Sequence, residues 1–131
     1  MSRPAPMTLA ALSLCLCLAP ADVQAGDTSS PKTIAEIVTF RLLPGTDEVR
    51  FLADAQATDR PVAALPGFLR RSLSRDDTGL WTDYVEWTDL ASATAAAQAV
   101  MGLPEFAPFI AAIDPEGMVM RHAPVVLQIA R

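Results

Sequence analysis

The sequence predicts one α+β domain of β-α-β-β-α-β order, the split βαβ or ferredoxin-like arrangement, an antiparallel four-stranded sheet with helices on one face. Three observations carry that prediction. Segments dense in β-branched and aromatic residues occupy 34–43, 68–75, 80–87 and 118–129. Segments with apolar residues at helical spacing separate the first from the second and the third from the fourth. Between the second and third lies only "DDTG", a tight hairpin turn closed by glycine.

The first strand, "IAEIVTFRLL" at 34–43, stops at the turn pair Pro44-Gly45, and both its faces are largely apolar. Thr46 is the expected N-cap of the first helix, with Asp47 and Glu48 where carboxylates meet the positive end of the helix dipole. Val49, Leu52, Ala53 and Ala57 give that helix its inner stripe to about Thr58. Pro61 disfavours the α region at Arg60, so the helix should kink or restart and end by Pro66-Gly67. After the hairpin, Asp89 caps a second helix through Met101 whose inner stripe is Leu90, Ala93, Ala97, Val100 and Met101. Gly102 ends it, and 104–113 is a short helical appendage broken by Pro108. In the last strand, 118–129, Pro124 suits a sheet edge or a bulge. Two helices cover one face of such a sheet, yet the first and last strands are apolar on both. The uncovered face therefore predicts a second copy, packed sheet to sheet as a twofold dimer.

Residues 1–25 read as a secretory signal. Arg3 precedes an apolar run of about 13 residues, short of the roughly 20 that span a bilayer, and Val23-Gln24-Ala25 supplies the small-x-small cleavage pattern. An uncleaved anchor is the alternative. Residues 26–33 form a polar leader, and 34–131 the domain. Cys15 and Cys17 both lie in the apolar run, so the mature chain has no thiol, and bulky Leu14 before Cys15 argues against a lipoprotein. The expected location is secreted and periplasmic, with no membrane contact once the signal is removed. A formal net charge of −5 argues against nucleic acid as a partner. Arg70, Arg71 and Arg75, near Asp76, Asp77, Asp83 and Glu86, read as a solvated strand end whose charges compensate one another.

"VTFRLLPGTDEVRFL", "LPGFLRRSL", "WTDYVEWTDLASATAAA" and "FIAAIDPEGMVMRH" together resemble the dimeric α+β barrel superfamily, in particular the antibiotic-biosynthesis-monooxygenase-like domain. The resemblance runs from about Ile34 to the C-terminus. It implies a homodimer with a cavity between sheet and helices that takes a small apolar or aromatic molecule. It also implies cofactor-independent chemistry, monooxygenase-like or isomerase-like, with no metal and no flavin. The haem-degrading branch relies on an asparagine, and this chain has none; the cyclase branch uses several histidines, and His122 is the only one here. A non-catalytic dimeric module for ligand binding or stress response is the alternative.

Strand alternation puts Trp81, Asp83, Val85 and Trp87 on one face of the third strand and Thr82, Tyr84 and Glu86 on the other. Trp87 reads as a core anchor. Trp81 stands nearer the hairpin, where it caps the cavity or the dimer interface. Asp83, between tryptophans, either pairs with an arginine or an indole N–H or acts as general base. Tyr84 offers a phenol to steer or protonate a substrate, oriented by Glu86. His122 is the one side chain whose ordinary pKa suits proton transfer near neutrality. Arg41 and Arg121, on strands expected to be neighbours, either bind an anionic ligand or pair with Glu36 or Glu116. The catalytic candidates are thus Tyr84, His122 and Asp83, and the ligand-binding candidates Trp81, Glu86, Arg41 and Arg121. One histidine and no cysteine argue against a transition-metal site.

Overall fold

The computed structural model describes residues 32–129. The expected signal peptide, 1–25, lies outside the described residues. In chain order the elements are β1 (Ile34–Phe40), α1 (Glu48–Ala57), α2 (Asp59–Ala63), β2 (Phe68–Arg75), β3 (Trp81–Trp87), α3 (Leu90–Val100), α4 (Phe106–Ala111) and β4 (Val119–Pro124). The strands form one antiparallel sheet in the order β2-β3-β1-β4, as expected of a split βαβ pair.

Local chemistry sets the boundaries, and it shifts several from their expected places. The N-cap of α1 is Asp47, not Thr46: its carboxylate accepts from the Arg50 N–H at 3.0 Å, while Thr46 Oγ1 turns back to donate to the Leu43 carbonyl. Pro61 falls inside α2, which restarts at Asp59 after a break at Thr58. Asp89 caps α3 by accepting from the Ser92 N–H at 2.7 Å. The inner face of α3 centres on Ala93 and Ala96, whereas Leu90 and Met101, at the two ends of the expected stripe, are exposed. β1 ends at Phe40, and Leu42 only bridges to Ile113 beyond it. β4 ends at Pro124, on the sheet edge as expected, although the Val125 N–H still donates to the Thr33 carbonyl.

The helices all pack on the sheet face that carries Phe40, Trp81, Val85 and Trp87. Phe51 of α1, fully buried, meets Trp81 edge-on at 4.9 Å between centroids and stacks on Phe109 of α4 at 5.3 Å. The face opposite the helices is less apolar than expected. Ala35, Ile37, Ala123 and Val119 make an apolar band, but Arg70, Ser72, Ser74, Thr82 and Arg121 stand around it.

One irregularity decides where the charged residues go. The register of β2 against β3 slips between Phe68 and Arg70, which leaves Leu69 as an extra residue. Phe68 faces Trp87 on the helix side, with their rings 5.9 Å apart. Regular alternation from Phe68 would have kept Arg70 on that side; the bulge instead turns Arg70 to the open face and Arg71 inward.

Candidate functional site

Between the inner face of the sheet and helices α3 and α4 lies a cavity of about 510 Å³. Its walls are apolar, among them Val38, Val85, Ala97, Phe109, Ile110 and Met120. The polar side chains lining it are Glu36, Arg71, Asp83 and the indole of Trp87.

Arg71 and Asp83 satisfy each other. The guanidinium Nε donates to Asp83 Oδ1 at 2.9 Å and Nη2 to Oδ2 at 2.7 Å, a bidentate pair with both side chains about nine-tenths buried. Nη1 donates to Thr58 Oγ1 at 2.7 Å, which ties the break between α1 and α2 to the sheet. Phe109 lies 5.5 Å below the guanidinium. The sequence-based reading of Arg71 as a solvated strand-end charge is therefore corrected: the bulge turns it into the core, where it meets Asp83. The arginine partner expected for Asp83 is real and is Arg71.

Glu36 holds the other polar pair. It is buried on β1, and its Oε2 is hydrogen-bonded to His122 Nε2 at 2.8 Å. The register makes this contact, because Glu36 and His122 face each other across β1 and β4. Among the described residues, neither His122 Nδ1 nor Glu36 Oε1 makes a hydrogen bond. Trp87 is buried, and its Nε1–H has no acceptor among the described residues. It stands beside Glu36 on the inner face, since Ile34 pairs with Trp87 and Glu36 with Val85.

The open face carries a second polar cluster. Glu86 is almost fully buried there. It accepts from Arg70, from Tyr84 Oη at 2.7 Å and from Gln128 Nε2 at 3.0 Å. The hydrogen bond from Arg70 holds its carboxyl below the usual range, with Tyr84 and Gln128 adding to the effect against the cost of burial. The same carboxylate, together with burial, pushes the Tyr84 phenol up.

The predicted site residues thus separate. Asp83 and His122 stand on the helix side, with Asp83 at the cavity. Tyr84 and Glu86 contact each other, as expected, but on the opposite face of the sheet. Arg121 is exposed on that open face, opposite Ile37. Arg41 lies past the end of β1, where Nη1 donates to the Thr78 carbonyl at 2.6 Å. Trp81 is buried among Phe40 and Phe51 and borders a smaller cleft of about 250 Å³ with Arg41 and Glu48. Two residues that sequence reasoning did not place in the site line the cavity. Glu36 had a visible signal, a carboxylate on the same face of β1 as Ile34, Val38 and Phe40. Arg71 had none, because no residue announces the bulge.

Among the described residues, no group of three or more His, Cys, Asp or Glu side chains is placed to hold a metal ion. No family model and no curated protein matches the sequence. Solved structures do match its fold. A variant of SnoaB, a cofactor-independent oxygenase from Streptomyces nogalater, superposes with a TM-score of 0.63 at 17% identity, over 76% of this chain and 99% of that one. A Bordetella bronchiseptica protein described as an antibiotic biosynthesis monooxygenase gives 0.63 at 19% identity, over 73% and 99%. Rv0793 from Mycobacterium tuberculosis gives 0.57 at 14% identity, over 75% and 99%. With the strand order, the helices on one face and these superpositions, the chain has the fold of the antibiotic-biosynthesis-monooxygenase-like α+β proteins.

Proposed function

We propose that this protein is a secreted homodimer that binds a small, mostly apolar aromatic molecule in the cavity under α3 and α4 and oxygenates it without a cofactor. The observation that carries the reading is the indole of Trp87, which lines the cavity and whose buried Nε1–H has no acceptor among the described residues. Leaving such a donor unpaired costs about 1–3 kcal/mol. A ligand carbonyl or phenol oxygen that accepts from it recovers that cost and fixes the ligand's orientation in otherwise apolar walls.

Glu36 and His122 supply the proton chemistry beside it. Glu36 Oε1 has no hydrogen-bond partner among the described residues, and His122 holds the other oxygen. In the proposed reaction Glu36 removes a proton from an activated ring methylene or phenol. The resulting electron-rich carbon reacts with O2, so that CH2 and O2 become C=O and water, with both product oxygens drawn from O2. The fold match to a protein whose name states cofactor-independent oxygenase activity supports this chemistry. Asp83 is already saturated by Arg71 and shapes the wall; Tyr84 and Glu86 serve the open face. That face, with its band from Ala35 to Val119, supports the second copy as partner.

A hydroxylated naphthoquinol and the purified mature chain test the proposal. In 15N spectra, only the Trp87 indole resonance is expected to move strongly on binding, while that of Trp81, deep among phenylalanines, stays. Oxygen uptake should accompany binding and fall with Glu36→Gln. Uptake unchanged in that variant removes Glu36 from the chemistry. Binding without any uptake favours the non-catalytic module, for which the mutual saturation of Arg71 and Asp83 already speaks, and no binding at all rejects the site. Sedimentation at micromolar concentration reads the dimer, and cell fractionation reads the periplasmic location.

A further inference from the structure

The sequence contains five methionines, and the three among the described residues, Met101, Met118 and Met120, all line the same cavity. They are not core filler: their exposures are 69%, 46% and 48%, which puts their side chains at the cavity mouth. Three thioethers at one opening call for an explanation other than burial.

The fold brings them to one level. Met120 pairs with Val38 across β1 and β4, and Val38 pairs with Asp83 across β1 and β3. α3 starts beside the Trp87 end of the sheet and runs back for 11 residues, about 16 Å at 1.5 Å per residue. That run sets Met101, the residue after α3, at the same end as Asp83 and Met120. Met118 immediately precedes β4 and Met120 lies on it, and both side chains border the cavity. His122, two residues beyond Met120, has no partner for Nδ1 among the described residues, and its Nε2 is fixed by Glu36. A histidine held by a carboxylate in this way is the usual arrangement behind a metal-ligating imidazole.

We propose that Met101, Met118 and Met120 form a soft-cation site at the cavity mouth that takes a monovalent d10 ion, Cu(I) or Ag(I), with His122, two residues along β4 from Met120, as an added nitrogen donor. Thioether sulfur is uncharged and polarisable. It selects soft monovalent ions over Zn(II) or Mg(II), which want thiolate, imidazole or oxygen, and it needs no deprotonation. The expectation of no transition-metal site counted imidazole and thiolate only and left these sulfurs out.

The test uses the full mature chain, which has no thiol to compete. Ag(I) is titrated by calorimetry, and Cu(I) by anaerobic competition with bicinchoninate. One ion per chain is expected, and the three 13C-labelled methionine methyl signals should shift together. Met118→Leu/Met120→Leu keeps side-chain volume, so the fold should survive with an unchanged melting curve, while binding is lost. Met101→Leu should weaken binding at least roughly tenfold, and His122→Ala less than the double variant. Zn(II) should not bind under the same conditions. The proposal is overturned by the absence of a bound equivalent. It is equally overturned by full binding in the triple Met101→Leu/Met118→Leu/Met120→Leu variant, or by Zn(II) binding as tightly as Ag(I), which would point to the Glu36 and His122 pair instead.

Discussion

Replacing Arg71 by methionine isolates the contribution of the buried ion pair. The substitution keeps most of the aliphatic stem but removes a guanidinium that makes two hydrogen bonds to Asp83, at 2.9 and 2.7 Å, and one to Thr58 Oγ1 at 2.7 Å. Thr58 stays satisfied, since its hydroxyl still donates to the Ala55 carbonyl at 2.6 Å. The contact from Arg71 to Asp59, at 3.4 Å on a largely exposed carboxylate, counts for little. The cost therefore falls on Asp83, left charged and buried with no partner, and breaking such a pair from one side costs about 3–5 kcal/mol. For a domain of this size that lowers Tm by at least about 12 °C. The companion Arg71→Met/Asp83→Leu should regain most of the loss, because an apolar pair of similar volume replaces two desolvated charges. Urea and thermal denaturation of the two variants measure both quantities. A single variant that loses less than about 1 kcal/mol would show the pair solvated like a surface bridge and refute this account.

Other expectations follow from neighbouring features. Glu86 is held below its usual range, first by Arg70, so its contribution is present above its unfolded value of about 4.5 and is lost as pH falls through the lower folded one. Glu86→Gln should accordingly destabilise most at neutral pH, and the gap to the wild type should close in acid, as read from urea midpoints across that range. At Gly67, with φ +81°, an added Cβ would sit 2.5 Å from Ser92 Cβ and 2.7 Å from Thr88 Oγ1. Gly67→Ala should cost about 2–4 kcal/mol, whereas Gly45→Ala, at φ +79° with open space around it, should cost only about 1–2 kcal/mol in denaturant titrations. Ala97→Phe projects a ring into the cavity and should abolish naphthoquinol binding, seen by fluorescence, while the melting curve stays close to that of the wild type.

The sequence revealed most where a residue's signal is local. The hairpin at "DDTG", the Asp89 cap and the alternation that separates Trp81, Asp83, Val85 and Trp87 from Tyr84 and Glu86 all depend on neighbours in the chain, and all hold. Thr46 and Asp47 compete for one cap, and the choice between them rests on a backbone angle that composition does not encode. Arg70 and Arg71 are adjacent and chemically identical, so only the slip at Leu69 decides which one meets Asp83 and which one Glu86. The pairing of Glu36 with His122 spans 86 positions and follows from β4 lying beside β1, a fact of topology. For the site, strand alternation divided the candidates between two faces, but it could not tell which face the helices cover.

Pro124 has a consequence for the free margin of the sheet. The Val125 N–H bonds to Thr33, so alternation in an antiparallel ladder aims the amides of Met120 and His122, and the position of Pro124, away from β1. Proline has no proton to offer at that third position. A stray strand that tried to extend this border would find two donors and then a blank, which discourages uncontrolled stacking of chains while leaving the broad face of the sheet open to an orderly partner.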